Sequence, residues 1–262
     1  NHVINFYSEV LCLNGGEFEG VQYDLLLWQC FIVGSIFGWK NADGTRRFRV
    51  VYIETGKGSG KSPLAAGIGL YGLSADGEER AEIYSAATKK DQAMILFRDA
   101  VAMIDYSPML NERIIRSGGH NKEWNLAYPH TNSFFRALSS DDGQSGPRPH
   151  FALLDEIHEH KDNTVVEMAR SGFKSRRQPL MVMITNSGTS RQSVCWEYHD
   201  YADKVCKGAI LDDTFFGYVC ALDKDEDPFK DEACWIKVNP SLGITIKHKY
   251  LYDRSEERRV GK

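Results

Sequence analysis

The chain has 262 residues, 42% hydrophobic and 26% charged, which allows one sizeable buried core and argues against a disordered polymer. Its formal net charge of −4 excludes nucleic-acid binding through overall basicity, so any DNA contact must come from a local patch or from assembly into a ring. Six cysteines without a C-x-x-C pair argue against a disulfide framework or a zinc ribbon. The most apolar run, Leu25 to Phe37, is shorter than the ~20 residues a bilayer needs. No basic stretch precedes that run, so it does not read as a signal peptide, and a start at Asn1 without Met suggests a fragment.

In chain order, Asn1 to Trp39 reads as helical, with Leu25, Trp28, Ile32 and Ile36 on one face, followed by the turn Asn41-Ala42-Asp43-Gly44. Arg47 to Thr55 reads as a strand and Lys61 to Leu73 as a helix, Pro63 being tolerated in the first turn. Ala81 to Ala86 is a second strand. Thr88 offers an N-cap to a helix from Lys89 to Tyr106, which Ser107-Pro108 ends. Arg113 to Arg116, Glu123 to Ala127 and Phe134 to Leu138 are candidate strands, and Ser139 to Pro149 is a polar loop with Asp141-Asp142-Gly143. His150 to Leu154 is a strand, Val165 to Ser171 a helix, Leu180 to Thr185 a strand and Ser190 to Lys207 a helix. Beyond that the pattern loosens, and Asp223 to Asp227 reads as a solvated acidic loop. Alternating strands and helices predict an α/β fold with a mainly parallel sheet and a ligand at the carboxyl ends of its strands.

Thr55-Gly-Lys-Gly-Ser-Gly-Lys-Ser62 lies between a strand and a helix, the context a phosphate-binding loop requires. Backbone N–H groups at Gly56, Gly58, Ser59 and Gly60 would wrap a phosphate chain, Lys61 would reach the β/γ-phosphates and Ser62 would hold Mg²⁺. The strict pattern wants Gly where this chain has Thr55. A second motif, Phe151-Ala152-Leu153-Leu154-Asp155-Glu156, is a buried strand ending in two carboxylates. Asp155 would hold Mg²⁺ and Glu156 would deprotonate the attacking water. Several strands separate the two motifs, which favours the RecA-like (ASCE) class of P-loop ATPases over the kinase-like class. Thr185-Asn186 leaves the next apolar strand, where it would contact the γ-phosphate or the water. The Gln29 amide could read adenine. Taken alone, though, Trp28 reads better as core and Gln29 as helix surface. His158 and His160 lack the spacing of a zinc site.

Together these residues resemble the large terminase subunit of tailed bacteriophages. The resemblance rests on Leu27-Trp28-Gln29, Arg46-Arg47-Phe48-Arg49, Gly58 to Ser62, and Ser85-Ala86-Ala87-Thr88 with Asp91-Gln92-Ala93. Further on it is carried by Leu138-Ser139-Ser140-Asp141, Leu153 to His158, Ile184-Thr185-Asn186, Trp235 and Asn239-Pro240-Ser241-Leu242-Gly243. It implies an ATP- and Mg²⁺-dependent motor that drives double-stranded DNA into a procapsid. The motor would act in the host bacterial cytoplasm, transiently at the portal, as a homo-oligomeric ring, expected as a pentamer, with portal protein and small terminase subunit as partners and no membrane. It supports Trp28 and Gln29 as nucleotide contacts and adds Lys57 as a basic loop residue that stabilises phosphate charge.

An arginine reaching a neighbour's ATP is part of the same picture, with Arg148 and then Arg136 as candidates. The expected organisation is an ATPase domain over 1–210, a lid or linker over 211–253 and a non-native tail over 254–262, without a nuclease site. A catalytically idle ATP- or partner-binding fragment and a helicase-like translocase are the alternatives. Arg46-Arg47-Arg49 and Lys174-Arg176-Arg177 are candidate DNA contacts.

Overall fold

In the computed structural model, residues 2–139, 146–160, 162–188 and 190–259 are described; the expected motif residues Ser140 and Asp141 lie outside them. Helix α1 (His2–Val10) buries Val3, Phe6 and Tyr7, and helix α2 (Leu27–Gly38) buries Trp28, Ile32 and Ile36. The single helical region expected over Asn1–Trp39 is thus divided. Gly15, Gly16 and Gly20 all take positive φ between the two helices, a conformation that breaks the helical ladder, and Cys12 bridges Gln22 across the reversal.

Eight strands form one sheet: β1 (Val50–Glu54), β2 (Glu82–Ala87), β3 (Ile115–Ser117), β4 (Asn125–Tyr128), β5 (Ser133–Ser139), β6 (Phe151–Leu154), β7 (Leu180–Thr185) and β8 (Phe215–Val219). Their spatial order is β3-β4-β5-β2-β6-β7-β1-β8. From β5 to β8 every neighbouring pair is parallel, while β3 and β4 add an antiparallel edge. The connecting helices are α3 (Lys61–Ser74), α4 (Lys90–Asp105), α5 (Pro108–Arg113), α6 (Thr164–Gly172) and α7 (Val194–Cys206). The chain closes with α8 (Trp235–Val238) and α9 (His248–Arg259).

Strand alternation divides the core in two. Val51 and Ile53 face the side covered by α1 to α4, and Tyr52 faces the side of α6 and α7 with Leu154 and Met183. The strand that separates β1 from β6 in space is β7, which follows the acidic motif in the chain.

Two local features go beyond the sequence expectation. Ser107-Pro108, read as a stop, is also the start of α5: the Ser107 hydroxyl accepts from the Leu110 N–H at 3.4 Å and Pro108 occupies the first turn. Strand β8, hidden where the sequence pattern loosens, pairs in parallel with β1, so the sheet extends past the boundary expected at residue 210.

Arg46 is not a DNA contact. Its side chain is 0% exposed and stacks over Phe37 and Phe151; Nη2 donates to both oxygens of Asp76 at 2.8 Å, and Nη1 donates to Gln178 O at 2.6 Å. His150 Nε2 meets the same carboxylate at 2.7 Å. Arg176 is likewise largely buried, paired with Glu78 at 3.3 Å and Glu82 at 3.6 Å. Among the described residues, no helix is long and apolar enough to cross a membrane.

Candidate active site

The site lies where β1, β6 and β7 end. Hydrogen bonding of β1 continues one residue past the strand, with Thr55 N–H donating to Thr185 O at 3.2 Å; the loop then turns back into α3. Gly58 and Gly60 take φ of 83° and 89°, which an L side chain disfavours. The shifted glycine also has a local reason. A Cβ at Gly56 would collide with Asn239 Oδ1 and press on Val238 O, which accepts the Gly56 N–H at 2.6 Å. Thr55 itself is buried, and its carbonyl and hydroxyl both accept from Lys61, at 3.0 and 3.3 Å.

Lys61, Ser62, Asp155, Glu156 and Asn186 converge. Lys61 Nζ also donates to Gly56 O at 3.0 Å and to Asn186 Oδ1 at 2.8 Å. The other end of the same amide, Asn186 Nδ2, donates to Glu156 Oε2 at 3.2 Å. Ser62 Oγ donates to Asp155 Oδ2 at 3.3 Å, and Glu156 N–H donates to Asp155 Oδ1 at 2.8 Å. Glu156 has φ 50° and ψ 50°, a left-handed backbone that costs a non-glycine residue roughly 1–3 kcal/mol and is characteristic of functional sites.

Two charges are held against their preference. Burial, reinforced by the neighbouring Glu156 charge, pushes the Asp155 carboxyl up to about 7. Burial pulls the Lys61 ammonium down to about 8, despite the opposing pull of Glu156 and Asp155. A buried carboxylate beside a serine hydroxyl is a hard oxygen donor set of the kind a small divalent cation takes, and a cation there would relieve the charge that burial disfavours. The residues present therefore fit Mg²⁺, with Ser62 and Asp155 as its holders.

A stability consequence follows. Because the folded Asp155 holds its proton more tightly than an unfolded aspartate near 4, each step up in pH from about 4 to about 7 lowers the stability of the nucleotide-free chain. Asp155→Asn removes that loss. Denaturant unfolding at pH 8 should show the variant more stable by on the order of 2–4 kcal/mol and the advantage shrinking toward pH 4. Equal stability of the two proteins at pH 8 would contradict it.

Other expected residues are placed differently. Gln29 lies against the loop, 3.5 Å from where a Gly60 Cβ would stand. Its amide is engaged at both ends, by Leu26 N–H at 2.9 Å and by Tyr23 OH at 3.3 Å, so it also fastens the start of α2. Trp28 is buried: its Nε1–H donates to Ser241 Oγ at 3.1 Å, and its ring stacks on Tyr218. The Thr185 hydroxyl does not face the loop freely. It accepts from His158 N–H at 3.1 Å and donates to Asn186 O at 2.9 Å, so Thr185 supports Asn186 from behind.

Lys57 is exposed on the loop with no ion-pair partner among the described residues. Arg148 is not brought to the site. It precedes β6, and its N–H bonds Glu82 at the start of β2, placing it at the amino ends of strands whose carboxyl ends form the site. Arg136 stacks over Phe134 at 4.3 Å and donates to Asn125 at 2.8 Å.

Sequence reasoning missed what lies over the loop. Ser241 Oγ donates to Ser59 O at 2.8 Å and Thr245 Oγ1 to Gly58 O at 2.8 Å, while Ile246 packs beside Gly58. The Asn239-Pro240-Ser241 run was legible as a motif, but nothing local to it revealed that it seats on residues nearly two hundred positions earlier.

The large terminase subunit of Enterobacteria phage HK97 is 26% identical over 203 residues, 76% of this chain and 38% of that protein. Protein YmfN of Escherichia coli (strain K12) is 29% identical over 121 residues, 46% of this chain and 26% of YmfN. A crystal structure of the HK97 bacteriophage large terminase shares the fold, with a TM-score of 0.81 at 23% identity over 98% of this chain and 50% of that one. This chain thus spans about half or less of the length of these relatives. The family pattern described as "Terminase large subunit, endonuclease domain" matches residues 209–257, the stretch expected as a lid. The pattern described as "Terminase large subunit, ATPase domain" matches residues 27–204, which hold β1, β6, β7 and every expected site residue. That match spans more than half of the chain, which therefore belongs to the terminase large-subunit family through its ATPase domain.

Proposed function

We propose that this chain is the ATP-hydrolysing motor domain of a phage terminase large subunit, powering translocation of double-stranded viral DNA into a procapsid. The observation that carries this reading is the Asn186 side chain, which joins Lys61 at 2.8 Å to Glu156 at 3.2 Å and so links the phosphate-binding and water-activating halves of one site. The loop N–H groups and the start of α3 bind the phosphate chain. Lys61 leaves the carbonyls of Thr55 and Gly56 for the β/γ-phosphates. Glu156 orients the attacking water and takes its proton. Ser62 and Asp155 would hold Mg²⁺, which when bound would neutralise phosphate charge. Lys57, exposed at the loop, adds a point charge near the phosphates without the fork an arginine would offer.

The contacts of Ser241 and Thr245 with the loop support residues 211–253 as a lid or linker, although β8 within them completes the sheet. The endonuclease-domain pattern covers this same stretch, residues 209–257, and this reading assigns no nuclease step to it. The motor acts as a ring in the host cytoplasm, with portal protein and small terminase subunit as partners.

Nucleotide binding tests the loop. Lys61→Ala should weaken ATP binding roughly 10- to 100-fold, the loss of a charge-assisted bond. Wild-type affinity should fall as pH rises past about 8, because the ammonium is charged below that value and neutral above it. Calorimetric titration reads both, and unchanged binding by Lys61→Ala overturns the assignment.

A further inference from the structure

We infer that His158 is a positioning residue for ATP hydrolysis, holding the carboxylate of Glu156 in the pose that meets the attacking water. The inference rests on the reading of Glu156 as the base. His158 Nδ1 lies 3.1 Å from Glu156 Oε2 and 3.2 Å from Thr185 Oγ1. The main chain fixes this placement. Glu156 turns with a left-handed backbone, a 3₁₀ turn spans Ile157–Glu159 with Ile157 fully buried, and the His158 N–H is tied to Thr185 Oγ1 at 3.1 Å.

Hydrogen-bond chemistry then assigns the proton. An ionised carboxylate only accepts, and the Thr185 hydroxyl already donates to Asn186 O, so the hydrogen belongs to Nδ1 of the imidazole. Glu156 Oε2 is thereby flanked from two elements: it accepts from Asn186 Nδ2 after β7, and His158 Nδ1 after β6, hydrogen-bonded to Thr185 Oγ1, stands in close polar contact with it. Oε1 has no hydrogen-bond partner among the described residues and is the oxygen left for water. A glutamate held only by Asn186 could swing about that one bond. The imidazole packed against Oε2 restrains it, and Thr185, hydrogen-bonded to both His158 and Asn186, couples the two to the end of β7. Partners that orient an active group in this way carry about 10- to 100-fold in activity.

The test compares wild type, His158→Ala and His158→Asn for ATP turnover, binding of a non-hydrolysable ATP analogue and melting temperature. His158→Ala should lower kcat about 10- to 100-fold with analogue binding and melting unchanged, and His158→Asn, which returns an N–H near the Nδ1 position, should recover most of it. Adding His158→Ala to Glu156→Gln should cost nothing further, because the histidine acts through the glutamate. Full turnover by His158→Ala, or equal impairment of both histidine variants with weakened analogue binding, overturns the inference alone. A wild type that binds the analogue and never hydrolyses ATP overturns the motor reading and this inference with it.

Discussion

Glu156→Gln is expected to lower ATP turnover by about 10²–10⁴-fold while nucleotide binding survives. The change keeps the side chain's shape and the acceptor for Asn186 Nδ2, but it removes the lone base in contact with the amide that also touches Lys61. Asp155 does not substitute, because its carboxylate faces Ser62, where the two would hold Mg²⁺, and not the Asn186 amide. Removing the Glu156 charge also relieves one of the two causes that raise the Asp155 carboxyl, so Mg²⁺-dependent binding should hold or tighten in the variant. Phosphate release measured beside nucleotide binding separates the two effects. Equal turnover by wild type and Glu156→Gln rejects Glu156 as the base.

The largest stability effect is expected far from that site. Arg46→Ala should destabilise the fold by about 3–5 kcal/mol, since it strips the partner from a buried carboxylate and leaves a void between Phe37 and Phe151. Arg46→Lys should fall between, keeping the charge and losing the second nitrogen, which donates to Gln178 O. The same triad sets an acid limit. Burial alone would raise the Asp76 carboxyl, but the hydrogen bonds and charges of His150 and Arg46 hold it below its ordinary value. A carboxyl depressed in the folded state contributes stability above its unfolded value near 4 and loses it as pH falls further. Denaturant unfolding of wild type and Arg46→Ala between pH 3 and 7 should therefore show their difference narrowing toward acid. A difference under 1 kcal/mol at pH 7 would contradict the account.

The sheet's ordering was readable where strands are short, apolar and bounded by polar punctuation, as at Leu180 to Thr185, which the structure reproduces residue for residue. It was unreadable at β8, whose Phe215-Phe216-Gly217-Tyr218-Val219 becomes a strand by pairing with β1, a long-range partnership that leaves little local trace. The same division holds at the site. Lys61, Ser62, Asp155, Glu156 and Asn186 were legible because phosphate and proton chemistry restrict residue type at fixed distances from strand ends. Trp28 was legible as core, whereas Gln29, read alone as helix surface, is buried because Tyr23 and the start of α2 close around its amide. Arg46 was misread for a similar reason: a charge run looks solvated until Asp76 and His150 close around one member of it. His158, quoted within a motif, acquired a chemical role only when the turn after β6 folded its ring beside Glu156.

The central claim, that this chain turns over ATP at the Lys61–Asn186–Glu156 site, is tested most directly by single-turnover phosphate release. Wild-type chain in excess over γ-labelled ATP, with Mg²⁺ and double-stranded DNA and at a concentration high enough for subunits to meet, should convert the bound ATP to ADP and free phosphate. Tight retention of intact ATP with no phosphate released under those conditions would contradict it and leave the chain a binding module.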